Sequence, residues 1–196
     1  MIKSISNGVS RKFVEKGILG KDNEEICSYG LEIFFSTIIS VCMVLFISII
    51  CAKPLEGIIY LIFYCSLRTY AGGYHAKSHK SCILTFLGTY SLVTVILRFY
   101  MYDFKIVNFL VLFFCNLVVI LFDTVDTIIN PFSDSRKKKM HRISIFIMLF
   151  HSVIIAGMLN IPALYGMGVY ALFGDFVCCV LVAIGFVEKR IINGRS

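Results

Sequence analysis

Long apolar runs separated by short polar breaks set the plan of this chain. They lie at about 31–51, 55–70, 82–100, 106–121, 143–159 and 163–187. A helix rises about 1.5 Å per residue and needs about 20 apolar residues to cross about 30 Å of hydrocarbon. Most of the runs meet or approach that length. The second, at about 16 residues, reaches only roughly 24 Å, so it is tilted, re-entrant or buried against its neighbours. Pro54 marks a tight return between the first two runs, and Asn160-Ile-Pro162 marks another between the last two. The pattern predicts an all-α fold: a polytopic membrane helix bundle of about six transmembrane segments, two of them short or re-entrant.

Ahead of the first run, Ile2, Ile5, Val9 and Phe13 recur at helical spacing among Lys3, Arg11, Lys12, Lys16 and Lys21. This predicts an amphipathic helix within residues 1–25, lying on the inner face of the membrane. The first ten residues lack the apolar core of a cleavable signal peptide, so no segment is expected to be removed. No repeat, low-complexity tract or long linker divides residues 1–196, which read as one domain.

Composition agrees. Of 196 residues 58% are hydrophobic and only 16% charged, with mean hydropathy +0.85, which excludes a soluble globular surface. The net charge of +7 raises the question of nucleic acid. The basic residues flank apolar segments instead of forming a patch with interleaved aromatics, so no nucleic-acid partner is expected. With both termini inside, all 19 Lys and Arg except Lys53, Arg98 and Lys105 fall in the inner segments. Such a split puts both termini, and the polar stretch at 68–82, in the cytoplasm. The eight cysteines have no framework spacing, and most sit in apolar runs as small core hydrophobes.

The candidate chemistry lies in Arg68-Thr-Tyr-Ala-Gly-Gly-Tyr-His75-Ala-Lys-Ser-His79-Lys-Ser-Cys82, a glycine-broken polar passage between two apolar runs. A cysteine nucleophile needs a nearby base and a positive environment for its thiolate. Cys82 opens the third run, where the helix dipole supplies the latter, with Ser78 or Ser81 as candidate caps. His75 is seven residues away, about 10.5 Å along an unbroken helix, too far for a thiol–imidazole bond of about 3 Å. Gly72-Gly73 would allow the helix to end and the chain to fold His75 back over Cys82. Arg68, a turn earlier, would orient a carboxylate or stabilise an oxyanion. Two other readings stand on the residues alone. The Cys–His proximity is an accident of a membrane boundary, or His75, His79 and Cys82 are metal ligands. The metal reading falls short of the four ligands a structural zinc takes, Cys65 being the only other candidate nearby.

Arg68, Gly73, His75 and Cys82 at these spacings resemble the signature of the accessory gene regulator B (AgrB) family, membrane-embedded cysteine endopeptidases of Gram-positive quorum sensing. The resemblance extends over the chain, through its length, basic N-terminus, span pattern and the loop Asp126-Thr-Ile-Ile-Asn-Pro131 followed by a basic run. It implies a multi-pass protein of the cell membrane, a homodimer, that cuts the C-terminal region from a pheromone precursor, the AgrD peptide. It further implies an acyl-enzyme thioester at Cys82, His75 as general base and acid, supporting roles for Arg68 and Gly73, and release of the peptide as a thiolactone or lactone ring. No cofactor and no metal is implied; membrane lipids and the precursor are the expected partners.

Precursors of this kind carry an acidic tail, and Arg136, Lys137, Lys138, Lys139 and Arg142 are the candidate grip for it, by charge. A plain positive-inside anchor is the alternative. Asp123 and Asp126 read as helix-end or turn residues, though either would suit a third catalytic member. Asp175, alone in the sixth run, is expected to be protonated and bonded to a neighbouring helix. His141 and His151 read as structural. A peptide transporter would need polar residues along several spans, which the sequence lacks. A catalytically silent membrane partner would leave Cys82 merely packed.

Overall fold

The computed structural model describes residues 2–73, 79–99, 104–124 and 133–193; for 79–82 it describes the backbone alone. His75 and Asp126 lie outside these residues. The elements are all helical: α1 (Ile2–Glu15), a 3-10 turn (Lys21–Asn23), α2 (Glu24–Ile50), α3 (Pro54–Ala71), α4 (His79–Arg98), α5 (Lys105–Leu121), α6 (Asp134–Asn160), a 3-10 turn (Pro162–Leu164) and α7 (Tyr165–Asn193). The all-α membrane bundle predicted from the apolar runs is what the chain forms. Three segments are long and apolar enough to cross a bilayer by themselves: Lys21–Ile50, Asp134–Asn160 and Pro162–Glu188. Ile83–Arg98 and Lys105–Leu121 are shorter apolar helices.

The short second run is a continuous 18-residue helix and lies at the centre of the bundle. Pro54 opens it at a position where a missing N–H costs nothing. Tyr60, Leu61, Phe63, Tyr64 and Leu67 are all buried, packed chiefly against α7 and also against α6 and α2. Of the routes open to a short run, burial against neighbours is the one taken. Helix α3 approaches α7 closely at Gly174, where an added Cβ would stand 2.9 Å from the Tyr60 carbonyl oxygen and 3.4 Å from the Tyr64 nitrogen. Small residues in transmembrane helices allow such backbone contact, which gains dispersion energy that lipid does not supply. On the other side of α3, Tyr60 meets Tyr90 of α4 edge-on at 5.0 Å, and Tyr64 meets Phe86 at 4.9 Å.

Helix α2 turns a mostly polar stripe inward, with Ser28, Glu32, Ser36, Ser40, Val44 and Ser48 buried at four-residue intervals. Its outward face carries Phe34, Phe46, Ile49 and Ile50, each more than half exposed, as a lipid-facing surface does. Helix α1 packs on the start of α2 through buried Ser6 and Ser10, the latter donating to the Glu24 carbonyl at 2.7 Å. Ile5 and Phe13 remain exposed beside its lysines, so the expected amphipathic helix is present with its apolar edge uncovered.

Side-chain contacts fix two ends. At one, the Lys53 ammonium lies 5.3 Å from the Tyr170 ring, and Asn108 donates to the Tyr165 hydroxyl at 2.8 Å. At the other, basic end, Phe122 packs on Phe186 and Thr124 bonds to Tyr70.

Three expectations need correction. The passage 122–142 is not loop throughout: α6 begins at Asp134, capped by Ser133, whose hydroxyl accepts from the Arg136 N–H, so the basic run is helical. Helix α2 starts about seven residues before its apolar run, at Glu24, and α7 carries the basic tail as helix to Asn193. Charged residues extend a helix into water once an apolar stretch has nucleated it. Cys42 and Cys51, expected in the core, are exposed on α2, whereas Cys115, Cys178 and Cys179 are buried.

Gly174→Ala is expected to cost about 1–3 kcal/mol, the usual penalty for overpacking. A thermal scan in detergent by circular dichroism should show the loss. Gly157→Ala, where a Cβ meets nothing within 4 Å, should leave the transition in place.

Candidate functional site at the end of the central helix

The site grows from the problem of ending a helix near hydrocarbon. The last carbonyls of α3 have no helical partner, and each must find a donor. The Gly72 N–H closes the final turn on the Arg68 carbonyl at 3.1 Å. Gly72 then takes a φ of 68° and Gly73 a φ of 119°, which side-chain-bearing residues rarely adopt. The chain reverses, and the Arg68 guanidinium folds back to donate to the Gly72 carbonyl. Thr124, buried in the segment after α5, donates to the Tyr70 carbonyl at 3.2 Å. The helix therefore ends where the sequence placed the break.

Gly73 is held on both sides. A Cβ there would collide with the Arg68 guanidinium and stand 3.0 Å from the carbonyl carbon and oxygen of Leu181 in α7. The predicted role of Gly73 in backbone geometry thus has a definite form, since no side chain fits between Arg68 and α7. Arg68 is half-buried, with its charge held at the turn.

Cys82 lies in the opening turn of α4, with its backbone already helical. Ser81 is inside that helix and so is not its cap. The expected fold-back of His75 concerns a residue outside those described, as does Ser78. Asp123 is exposed, one residue before the Thr124 that docks on α3, which brings it beside the same helix end. On α6, Arg136, Lys138, Lys139 and Arg142 are exposed and Lys137 half-buried. No group of three or more His, Cys, Asp or Glu able to hold a metal occurs among the described residues.

The family model of AgrB, Accessory gene regulator B, matches residues 3–187. The chain belongs to the AgrB family. The match takes in the central helix, its glycine turn and the start of α4, and every other element named above except the last residues of α7. Two relatives named AgrB-like, from Clostridium perfringens strains SM101 and 13, are each 29% identical over 149 residues, spanning 71% of this chain and 68% of the relative. No solved structure matches the chain. AgrB membership ties this multi-pass bundle to the accessory gene regulator system of quorum sensing.

Two features escaped the sequence reading. Thr124 gives no motif; its role comes from tertiary contact alone. Asp175 stood out as an acid in an apolar run, but its partner is His151 of α6, whose Nδ1 lies 3.0 and 3.1 Å from the two carboxyl oxygens. Both had been noticed singly as lone polar residues, and nothing in the spacing joined them.

Gly73→Ala should displace Arg68 or α7 and cost about 1–3 kcal/mol from backbone strain alone. Protection of the Arg68 carbonyl's partner, the Gly72 amide, should fall in hydrogen exchange. Gly88→Ala, with open space at its Cβ, should not change it.

Proposed function

We propose that this protein is a membrane-embedded cysteine endopeptidase that removes the C-terminal tail of an AgrD-like pheromone precursor and promotes ring closure of the remainder. The observation that carries this reading is the glycine turn. Within a chain of the AgrB family, α3 ends at positive-φ Gly72 and Gly73, locked by Arg68 and Leu181, five residues before α4 begins with the turn that holds Cys82. Five residues, His75 among them, join these two helix ends in the sequence.

In the proposed reaction the Cys82 thiolate attacks the scissile carbonyl, having given its proton to His75. Collapse of the tetrahedral intermediate breaks the C–N bond, and the His75 imidazolium protonates the leaving amine. The acyl group stays on Cys82 as a thioester. A cysteine or serine side chain within the peptide then gives its proton to the now neutral His75, attacks that carbonyl and expels the Cys82 thiolate, which closes a thiolactone or lactone and leaves Cys82 to recover its proton from His75. Thioester exchange with a thiol is close to energy-neutral, so closure competes with hydrolysis only where water is scarce and the peptide's nucleophile is held near. A site at a helix end backed by a buried bundle would favour the first of these conditions. Arg68 and Gly73 hold the turn.

The basic run is read as the grip for the precursor's acidic tail. Cations in the first turns of a helix run against its dipole, and α6 carries four there besides Asp134. The dipole and the four cations together form a strongly positive end facing away from the hydrocarbon. A positive-inside anchor needs no such placement. The same charge pattern supports a cytoplasmic position for the site and both termini; a Gram-positive cell and a homodimer are what the family resemblance suggests.

The test uses the full chain in proteoliposomes with its cognate precursor, following tail release and the covalent adduct by mass spectrometry. Cys82→Ala should abolish both and His75→Ala should abolish cleavage, while Cys65→Ala and Cys27→Ala retain both. Cleavage by Cys82→Ala at the native rate would overturn the assignment and favour a transporter or a silent partner. Lys137, Lys138 and Lys139 changed together to Gln should raise KM about tenfold with kcat unchanged, at about 0.5 kcal/mol for each exposed ion pair.

A further inference from the structure

The His151–Asp175 pair extends to a third residue. The Nε2 atom of His151 lies 3.2 Å from the Ser66 hydroxyl of α3, and its ring packs on Phe63 at 4.4 Å. Ser66, His151 and Asp175 therefore form one connected polar array across α3, α6 and α7. Asp175 has no exposed surface and His151 only 6%. Burying such groups in a bilayer is costly, and they are retained where they set register or serve a site.

The array has the polarity of a serine-nucleophile triad, but its setting argues against that chemistry. Ser66 is in mid-helix, where neighbouring N–H groups are committed to the helix and leave no donors for an oxyanion. Its hydroxyl also lies 2.5 Å from the Ile62 carbonyl and 3.1 Å from that of Phe63.

Placement points elsewhere. Ser66 is two residues before Arg68, and Asp175 lies less than two turns before Leu181, against which Gly73 packs. Asp175 also follows Gly174, the point where α3 and α7 touch backbone to backbone. A dispersion contact at Gly174 sets how near the two helices come, but it resists sliding and rotation weakly. Hydrogen bonds through a ring of fixed shape are directional and resist both.

We propose that Ser66, His151 and Asp175 are positioning residues that set the axial register of α3 on α7, and thereby hold the Arg68–Gly73 turn in its working geometry. The kinetic half of this inference rests on the proposed peptidase reading; the structural half does not.

The experiment compares the full-length native chain in nanodiscs with Asp175→Ala, His151→Ala, Asp175→Asn and a control, Asn108→Leu, which removes a different buried polar contact at the opposite end. Hydrogen exchange is read at residues 68–73 and over the remaining helices, and cleavage of the cognate precursor is resolved into kcat and KM. Asp175→Ala and His151→Ala should raise exchange selectively at 68–73 and lower kcat about 10- to 100-fold, with KM nearly constant, as expected for a small misplacement of reacting groups. Asp175→Asn still offers an acceptor to His151 and should recover most of both. Asn108→Leu should loosen the bundle generally without a selective change at 68–73.

Unchanged exchange at 68–73, a change spread evenly as in the control, or Asp175→Asn as damaging as Asp175→Ala would each overturn the positioning role. Unchanged kcat despite selective loosening would overturn it too. Failure of the peptidase reading is seen separately, as undiminished cleavage by Cys82→Ala, and leaves the exchange result standing.

Discussion

Backbone contact between α3 and α7 at Gly174 is the constraint on which the rest of the bundle depends. Lipid tails compete equally well with leucine for apolar surface, so helices in a bilayer associate only where they fit unusually closely. Gly174 provides that fit at Tyr60 and Tyr64. Once α3 is seated there, the other helices complete a sheath: α4 covers it with Tyr90 and Phe86, α6 with His151, and α2 with Ser48, which lies against Gly57. A helix of 18 residues with modest hydropathy is thereby placed at the centre, where its polar positions are shielded.

The same seating delivers the end of α3 to one fixed place. Its carbonyls need donors where water is limited, and they obtain them from Arg68 and Thr124. Arg68 is committed to the turn that it also decorates. A charge-conserving lysine would lack the forked donor geometry that holds this turn.

How far could the sequence be read? Apolar runs located the six helices α2 to α7, because the bilayer imposes a length and an internal hydrogen-bond requirement that leave little else possible. The break at Gly72-Gly73 was legible because paired glycines after an arginine have few other uses in such a place. Helix ends in water were not: the extensions of α2, α6 and α7 depend on charged residues that a hydropathy pattern discards. The link between His151 and Asp175 was also hidden. It joins positions 24 residues apart on two helices whose relative rotation is set by packing, and each residue seen singly has an ordinary explanation. Thr124 was invisible for the same reason, since a hydroxyl that caps another helix leaves no trace in its own neighbourhood.

Helix α5 has 17 residues, about 25 Å of length, and an outer face of Ile106, Leu110, Phe113 and Leu121 that meets lipid directly. An ordinary bilayer core of about 30 Å is thicker than that. The lipid beside α5 must thin or the helix must draw its ends inward, and either response costs a fraction of a kcal/mol per Å. Because α5 runs straight into the Phe122–Thr124 segment that caps α3, the dip in the bilayer falls beside the glycine turn. Lipids with longer or shorter chains would then be expected to pull on the turn through α5.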